Sequence, residues 1–181
     1  MRVISGIRKK QNLIAPKGLG KTRPTTDRVK ESVFNIIQGR LSAGNVLDLF
    51  CGSGGMGIEA LSRGCSHAVF VDTSPEAVSA VRENLQNTRF TDVSSLLHTD
   101  ALKFLAGCNE KFGIIFVDPP YNKGFVAPVF KLIADKSLLA GEGIIVLETE
   151  AGGEWAEQVE FECIREQRYG STVISIWRMK L

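Results

Sequence analysis

The chain lacks any run of about 18 apolar residues from which a membrane span could be built, and its opening MRVISGIRKKQN lacks the uninterrupted apolar stretch of a secretory signal. A cytoplasmic location and no membrane partner are therefore expected. Cysteine is sparse and scattered: Cys51, Cys65, Cys108 and Cys163 form no C-x-x-C pair and have only two histidines beside them. That pattern excludes a readable zinc site or disulfide framework and leads to an expectation of reduced thiols and no metal. Internal repeats and low-complexity segments are also missing. What remains is 181 residues, 44% hydrophobic, enough for one domain with a sizeable core and too short for two of ordinary size. Nothing in it asks for a second copy, and a monomer is expected.

Net charge is small, +2, but unevenly spread. Residues 1–30 carry nine of the 22 Lys and Arg against one acid, Asp27, a local excess of +8, and the rest of the chain is at −6. A basic arm on an acidic body suggests a polyanion reached through the arm, because phosphate contacts by Lys and Arg supply most sequence-independent nucleic-acid affinity. A solvated, disordered tail is the plainer alternative, although Arg2-Val-Ile-Ser-Gly-Ile alternates too well to be wholly disordered.

From position 25 the chain alternates between helix and strand patterns. Thr25, Thr26 and Asp27 offer N-cap oxygens to a helix with Val29, Val33, Phe34, Ile36 and Ile37 on one side and a stop near Gly39. Strands are expected at 46–50, 67–71, 95–98, 112–117 and 143–148, with helices at 56–63, 75–87, 101–105 and 125–134 between them. The end differs: 161–168 and 172–178 flank Tyr169-Gly170-Ser171 as an antiparallel hairpin. Such alternation implies an α/β fold, a mostly parallel seven-stranded sheet with helices on both faces. Residues 1–40 read as a basic extension with its helix, facing the polyanion, and 41–181 as the sheet domain, a single structural unit.

Ligands of such sheets bind beyond the carboxyl ends of the strands. Four strand ends here bring a carboxylate: Asp48, Asp72, Asp100 and Asp118. Gly52-Ser53-Gly54-Gly55-Met56-Gly57 matches G-x-G-x-x-G, and Asp72 lies some way beyond it, as in a dinucleotide site. Against NAD stands Asp48, a carboxylate in the crevice that would repel a pyrophosphate and attract an ammonium or sulfonium. S-adenosyl-L-methionine has that profile, with S-adenosyl-L-homocysteine as its product. Asp48 is expected by its methionine end, Phe50, Gly52, Ser53 and Gly54 along the loop, Asp72 with Thr73 at the ribose hydroxyls, and Asp100 with Ala101 at the adenine. Helix capping is an alternative for each acid, most of all for Asp100 before Ala101-Leu102.

The run IIFV ends in Asp118-Pro119-Pro120-Tyr121. An exocyclic amine on a purine has its lone pair delocalised into the ring, so methylation requires that it be oriented. The Asp118 carboxylate and the Pro119 carbonyl can accept its two N–H bonds, an electrostatic effect of about 3–4 kcal/mol by analogy with one oxyanion-hole donor. Consecutive prolines hold the backbone extended and remove competing N–H groups. Tyr121, next to Pro120, offers a ring for base stacking, worth roughly 1–3 kcal/mol. A base in folded RNA would have to leave its stack to enter. Cys51 invites a nucleophile reading, but no Pro-Cys accompanies it.

The segments Arg23-Pro24-Thr25-Thr26-Asp27-Arg28-Val29-Lys30-Glu31, Leu47–Gly54, Gly57–Gly64 and Asp118–Tyr121 resemble the RsmD family, among the Rossmann-like class I S-adenosylmethionine-dependent methyltransferases that modify exocyclic amines. The resemblance runs from Arg2 to the closing hairpin and implies transfer to the N2 amine of a guanine in 16S rRNA, within an assembling small ribosomal subunit. It makes Asp118, Pro119 and Tyr121 the catalytic grip and places Arg8, Lys9, Lys10, Arg23, Thr25, Arg28 and Pro120 on the RNA side. Asp72 stands where the family often has Glu. The D-P-P-Y element is also shared with methyltransferases of DNA adenine and protein glutamine, and a non-catalytic RNA-binding protein would need the basic arm alone.

Overall fold

The structure, a computed structural model, describes residues 1–18, 27–41, 44–121, 123–152 and 160–180. After α1 (Asp27–Ile36) come β1 (Asn45–Leu49), α2 (Gly55–Ser62), β2 (His67–Asp72), α3 (Pro75–Thr88), β3 (Ser94–His98), α4 (Ala101–Gly107), β4 (Phe112–Val117), α5 (Val126–Asp135), β5 (Leu139–Glu150), β6 (Phe161–Tyr169) and β7 (Thr172–Met179). The strands form one sheet in the order β3-β2-β1-β4-β5-β7-β6. The first five in that order are parallel, and β7 inserts antiparallel between β5 and β6. The order reverses between β1 and β4, which opens a crevice above the carboxyl ends of those two strands.

Apolar residues on both faces of the central strands explain why helices cover both sides. Val46, Phe70, Phe116 and Val146 point to one face and pack with α1, α2 and α3 through Phe34, Ile58 and Val81. Leu47, Val71, Val117 and Leu147 point to the other and pack with α4 and α5 through Leu105, Phe130 and Ile133. The two-residue period of the strands separates the two sets.

Residues 1–14, expected as a basic extension, are docked on the first of these layers. Val3 and Leu13 join its core, and Arg2 pairs with Asn12 across a single antiparallel bridge. Buried Glu59 in α2 receives the backbone N–H of Ile4 at 2.7 Å and of Ser5 at 3.0 Å. Its carboxylate also meets Lys30 Nζ of α1 at 3.3 Å and Arg63 Nε at 2.8 Å. Lys30 is wholly buried and also donates to the Arg2 carbonyl at 2.5 Å. One of the nine cations counted in the arm is thus structural, and a second, Arg2, is paired with Asp27 at 3.0 Å.

Candidate active site

The crevice is built from the strand ends. Beyond β1 the chain turns at Phe50, whose φ of 58° is the left-handed region that a non-glycine residue seldom enters. The Phe50 ring is held edge-on by Phe125, with centroids 5.3 Å apart. The glycine loop then closes through Gly54 N–H to the Cys51 carbonyl at 2.7 Å. Gly54 itself is the N-cap of α2 at φ 74°, a conformation suited to glycine but one that leaves the cap without a side-chain acceptor. Asp48 replaces it from β1: its Oδ2 accepts the Gly57 N–H at 2.9 Å. Gly57 is required by close approach, since a Cβ there would lie 2.4 Å from the Phe70 ring.

Asp72 anchors the same loop from β2. Its Oδ2 accepts from Gly52 N–H and its Oδ1 from Ser74 N–H, both at 2.9 Å. A carboxylate has about four lone-pair sites, so both oxygens keep capacity for a ligand's hydroxyls. Ser53, next along the loop, is buried, and its carbonyl accepts from buried Asn84 of α3 at 2.9 Å. Thr73 is exposed beside Asp72, its carbonyl 3.0 Å from His98 Nε2. Asp100 is the N-cap of α4, accepting from Lys103 N–H at 2.9 Å, with buried Ala101 opening the helix.

Asp118 follows β4 directly. Register sets its neighbours: Asp48 lies beside Phe116, and Val117 beside Leu147, so Asp118 comes level with Glu148 of β5. With side chains alternating, Asp48, Asp72, Asp118 and Glu148 all lean to the face covered by α1 to α3. Asp118 opens to solvent within the crevice, Pro119 is buried, Pro120 exposed, and Tyr121 is 42% exposed. The Tyr121 hydroxyl donates to Glu148 Oε1 at 3.4 Å.

This concentration of acids changes their titration. Burial, partly offset by the Gly57 N–H and reinforced by Asp72, pushes the Asp48 carboxyl up to about 7. Desolvation by the surrounding crevice, then the charges of Glu148 and Asp48, hold Asp118 well above the ordinary carboxylate range. Burial and the charges of Glu148 and Asp118 push the Tyr121 phenol up to about 12, so it remains a donor at neutral pH. The Cys51 thiol is pushed up in the same way by burial and then by Asp48 and Asp72, which leaves it unsuited to nucleophilic attack.

The structure brings Asp48, the glycine loop, Asp72, Asp118 and Tyr121 around one crevice. The basic residues lie elsewhere. Lys9, Lys10 and Arg28 line a cleft of about 440 Å³ between the arm and α1, together with Arg2, Val3, Ile4, Asp27 and Glu31. Arg8 is not among them: its guanidinium lies over the Phe90 ring at 5.8 Å and its backbone N–H donates to Ser62 Oγ at 3.0 Å. Arg23 and Thr25 lie outside the described residues. Sequence reasoning missed Glu148, although GIIVLETE ends an apolar run on an acid as the other four strands do, and it missed the buried Glu59 and Asn84. Asn84 donates to the carbonyls of Ile14 and Ser53, both at 2.9 Å, and so joins the arm to the glycine loop. Among the described residues no cluster of three or more His, Cys, Asp or Glu is placed to hold a metal ion, and no helix is long and apolar enough to cross a membrane.

Comparison with known proteins agrees with this architecture. The family model described as "Conserved hypothetical protein 95" matches residues 1–178. The Bacillus subtilis protein YlbH is 40% identical over 184 residues, covering 99% of this chain and 100% of that one. Ribosomal RNA small subunit methyltransferase D of Escherichia coli K12 is 33% identical over 150 residues, covering 83% of this chain and 75% of that one. The solved structure of Escherichia coli yhhF superposes with a TM-score of 0.86 at 30% identity, over 99% of this chain and 98% of that one. The chain, with its Rossmann-like sheet and acid-lined crevice, belongs to the "Conserved hypothetical protein 95" family, the RsmD methyltransferases.

Proposed function

We propose that this methyltransferase transfers a methyl group from S-adenosyl-L-methionine to the exocyclic N2 amine of a guanine in 16S ribosomal RNA, in the setting of an assembling small subunit. The observation that carries the reading is Asp118-Pro119-Pro120-Tyr121 at the end of β4, on the sheet face it shares with Asp48 and the glycine loop.

The crevice residues fit such a cofactor. Among the described residues Asp48, Asp72 and Asp118 form no ion pair, and burial, with a smaller contribution from neighbouring carboxylates, raises the pKa of Asp48 and Asp118. A cation is the counter-charge that such a cluster favours. Asp48, Gly52 and Gly54 would hold the amino-acid end, Asp72 the ribose, and the α4 entry at Asp100 and Ala101 the adenine. When bound, the cofactor supplies the methyl group and a sulfonium charge.

The remaining chemistry falls to the chain. Ionised Asp118 and the Pro119 carbonyl each accept one N–H of the target amine, which orients its lone pair and disperses the charge that grows on nitrogen. Tyr121 stacks on the base, and its hydroxyl is tied to Glu148 so that the ring is pre-placed. After transfer, the proton on the methylated nitrogen passes to the Asp118 carboxylate or to water. The cleft lined by Lys9, Lys10 and Arg28 takes up RNA phosphates away from the reacting base.

The test is incubation with methyl-labelled S-adenosyl-L-methionine and small-subunit RNA or particles lacking the modification, followed by nucleoside analysis. Label in N2-methylguanosine is expected. Label in N6-methyladenosine, or RNA binding without label, would overturn the reading.

A further inference from the structure

Two carboxylates stand side by side at the ends of adjacent parallel strands. The pairs Phe116 with Val146 and Val117 with Leu147 carry the β4–β5 register up to Asp118 and Glu148, one step further on the same face. Asp118 has a task in the transfer. Glu148 so far only steadies a ring: it is 8% exposed and its Oε1 accepts from the hydroxyl of Tyr121, the ring assigned to base stacking. Two neighbouring carboxylates beside an aromatic platform form a surface that favours a ligand rich in N–H donors.

The target base offers such donors. Guanine presents N1–H beside the N2 amine, three N–H bonds along one edge. Adenine presents an exocyclic amine beside N1, whose lone pair would point at a carboxylate. With Asp118 and the Pro119 carbonyl on the amine, the next position along that edge is N1, and the next acceptor along the strand ends is Glu148. We propose that Glu148 is the specificity-determining residue that accepts the N1–H of the flipped guanine, and that an adenine is refused because its N1 places a lone pair against the Glu148 carboxylate. The inference rests on the guanine-N2 reading above and deepens it.

Glu148→Gln tests it by exchanging one acceptor oxygen for a donor at nearly constant volume. The partner change is made in the base. 2-Aminopurine keeps the 2-amine but has no N1–H and presents a lone pair at N1. Small-subunit RNA carrying guanosine or 2-aminopurine riboside at the mapped target is prepared by splinted ligation. With wild type, kcat/KM for 2-aminopurine falls about 10- to 100-fold below that for guanine, the range expected for one charge-assisted hydrogen bond. In Glu148→Gln, guanine loses a similar factor and 2-aminopurine gains, because the amide can donate to N1, so the preference collapses or inverts. 2-Aminopurine fluorescence gives a readout without turnover: with S-adenosyl-L-homocysteine present, the variant binds and unstacks the 2-aminopurine RNA more tightly than wild type does. Affinity for S-adenosyl-L-homocysteine, measured by calorimetry, stays within a few-fold and verifies the fold. A guanine to 2-aminopurine ratio unchanged by the substitution, or an equal fall on both bases, would overturn the role of Glu148. Wild type inactive on guanine would instead overturn the guanine reading, and this inference with it.

Discussion

Replacing Glu59 by Gln should unfasten the N-terminal arm and remove a large part of the protein's stability. The side chain is inaccessible to solvent, and its two oxygens are fully engaged. Oε1 takes Ser5 N–H at 3.0 Å and Arg63 Nε at 2.8 Å, and Oε2 takes Ile4 N–H at 2.7 Å and Lys30 Nζ at 3.3 Å. A glutamine keeps the volume but can offer an acceptor to only one of these pairs. Its NH2 then faces two donors, and Lys30 loses its counter-charge. Breaking a buried ion pair from one side costs about 3–5 kcal/mol. A ceiling comes from Lys30 itself, because surrendering its proton at neutral pH costs about 4–5 kcal/mol from an ordinary lysine pKa. Burial already holds the Lys30 pKa below its ordinary value even with Glu59 present. The expected loss is therefore about 3–5 kcal/mol, set against a typical domain stability of about 5–15 kcal/mol. Urea unfolding followed by far-UV circular dichroism measures it. Limited trypsin digestion adds a local readout, since exposed Lys9 and Lys10 should be cut faster once the arm lifts. Adding Lys30→Met should recover much of the loss by removing the stranded charge. A loss below about 1 kcal/mol, or a double variant no more stable than the single one, would refute the reasoning.

Asp118→Ala should lower methyl transfer by about 10²- to 10³-fold while leaving S-adenosyl-L-homocysteine affinity nearly unchanged; equal loss of both would contradict the division between grip and cofactor shell. Asp118 acts as an acceptor only when ionised and its pKa is raised, so kcat/KM should climb with pH through a midpoint above the ordinary carboxylate range, and Glu148→Gln should move that midpoint down. A midpoint unmoved by the substitution would break the electrostatic link. Asp48→Asn should stabilise the ligand-free protein at pH 8 and weaken cofactor binding. The rise of Asp48 from 3.8 to about 7 makes the folded state hold a proton that the unfolded chain has lost, so stability falls as pH rises towards 7, by up to about 4 kcal/mol. Thermal unfolding at pH 5 and pH 8 checks the sign, and a variant less stable than wild type at pH 8 would reverse it. Replacing Lys9 and Lys10 by Gln should weaken RNA binding and flatten its salt dependence by about one unit per lost phosphate contact; an unchanged slope would remove the cleft from the RNA interface.

The fold was largely legible because each strand and helix announces itself locally. The apolar runs at 46–50 and 112–117, the stops at Gly39 and Gly64, and the Tyr169-Gly170-Ser171 turn all report on neighbours in sequence. Boundaries suffered where the chain bends: β5 was expected from 143 but begins at Leu139, because Gly141, with φ 40°, and Gly143 read as a turn before they read as strand. Asp48, Asp72 and Asp118 could be found as acids at strand ends. Glu148 carries the same local signal at the end of GIIVL, but its place beside Asp118 depends on how β5 registers with β4. How the arm docks was not legible for a related reason. Its charges are visible in sequence, but Lys30 finds Glu59 across 29 residues and Arg8 settles over Phe90, contacts that only the packed layer creates.

The central claim is that the acid-lined crevice holds a sulfonium cofactor rather than a pyrophosphate. Isothermal titration calorimetry of the purified chain with S-adenosyl-L-methionine, S-adenosyl-L-homocysteine and NAD tests it most directly. One site should bind both sulfur compounds, weakened in Asp72→Ala, and NAD should give no heat. Silence with both sulfur compounds, or binding of NAD at a site that Asp48→Asn strengthens, would contradict the account.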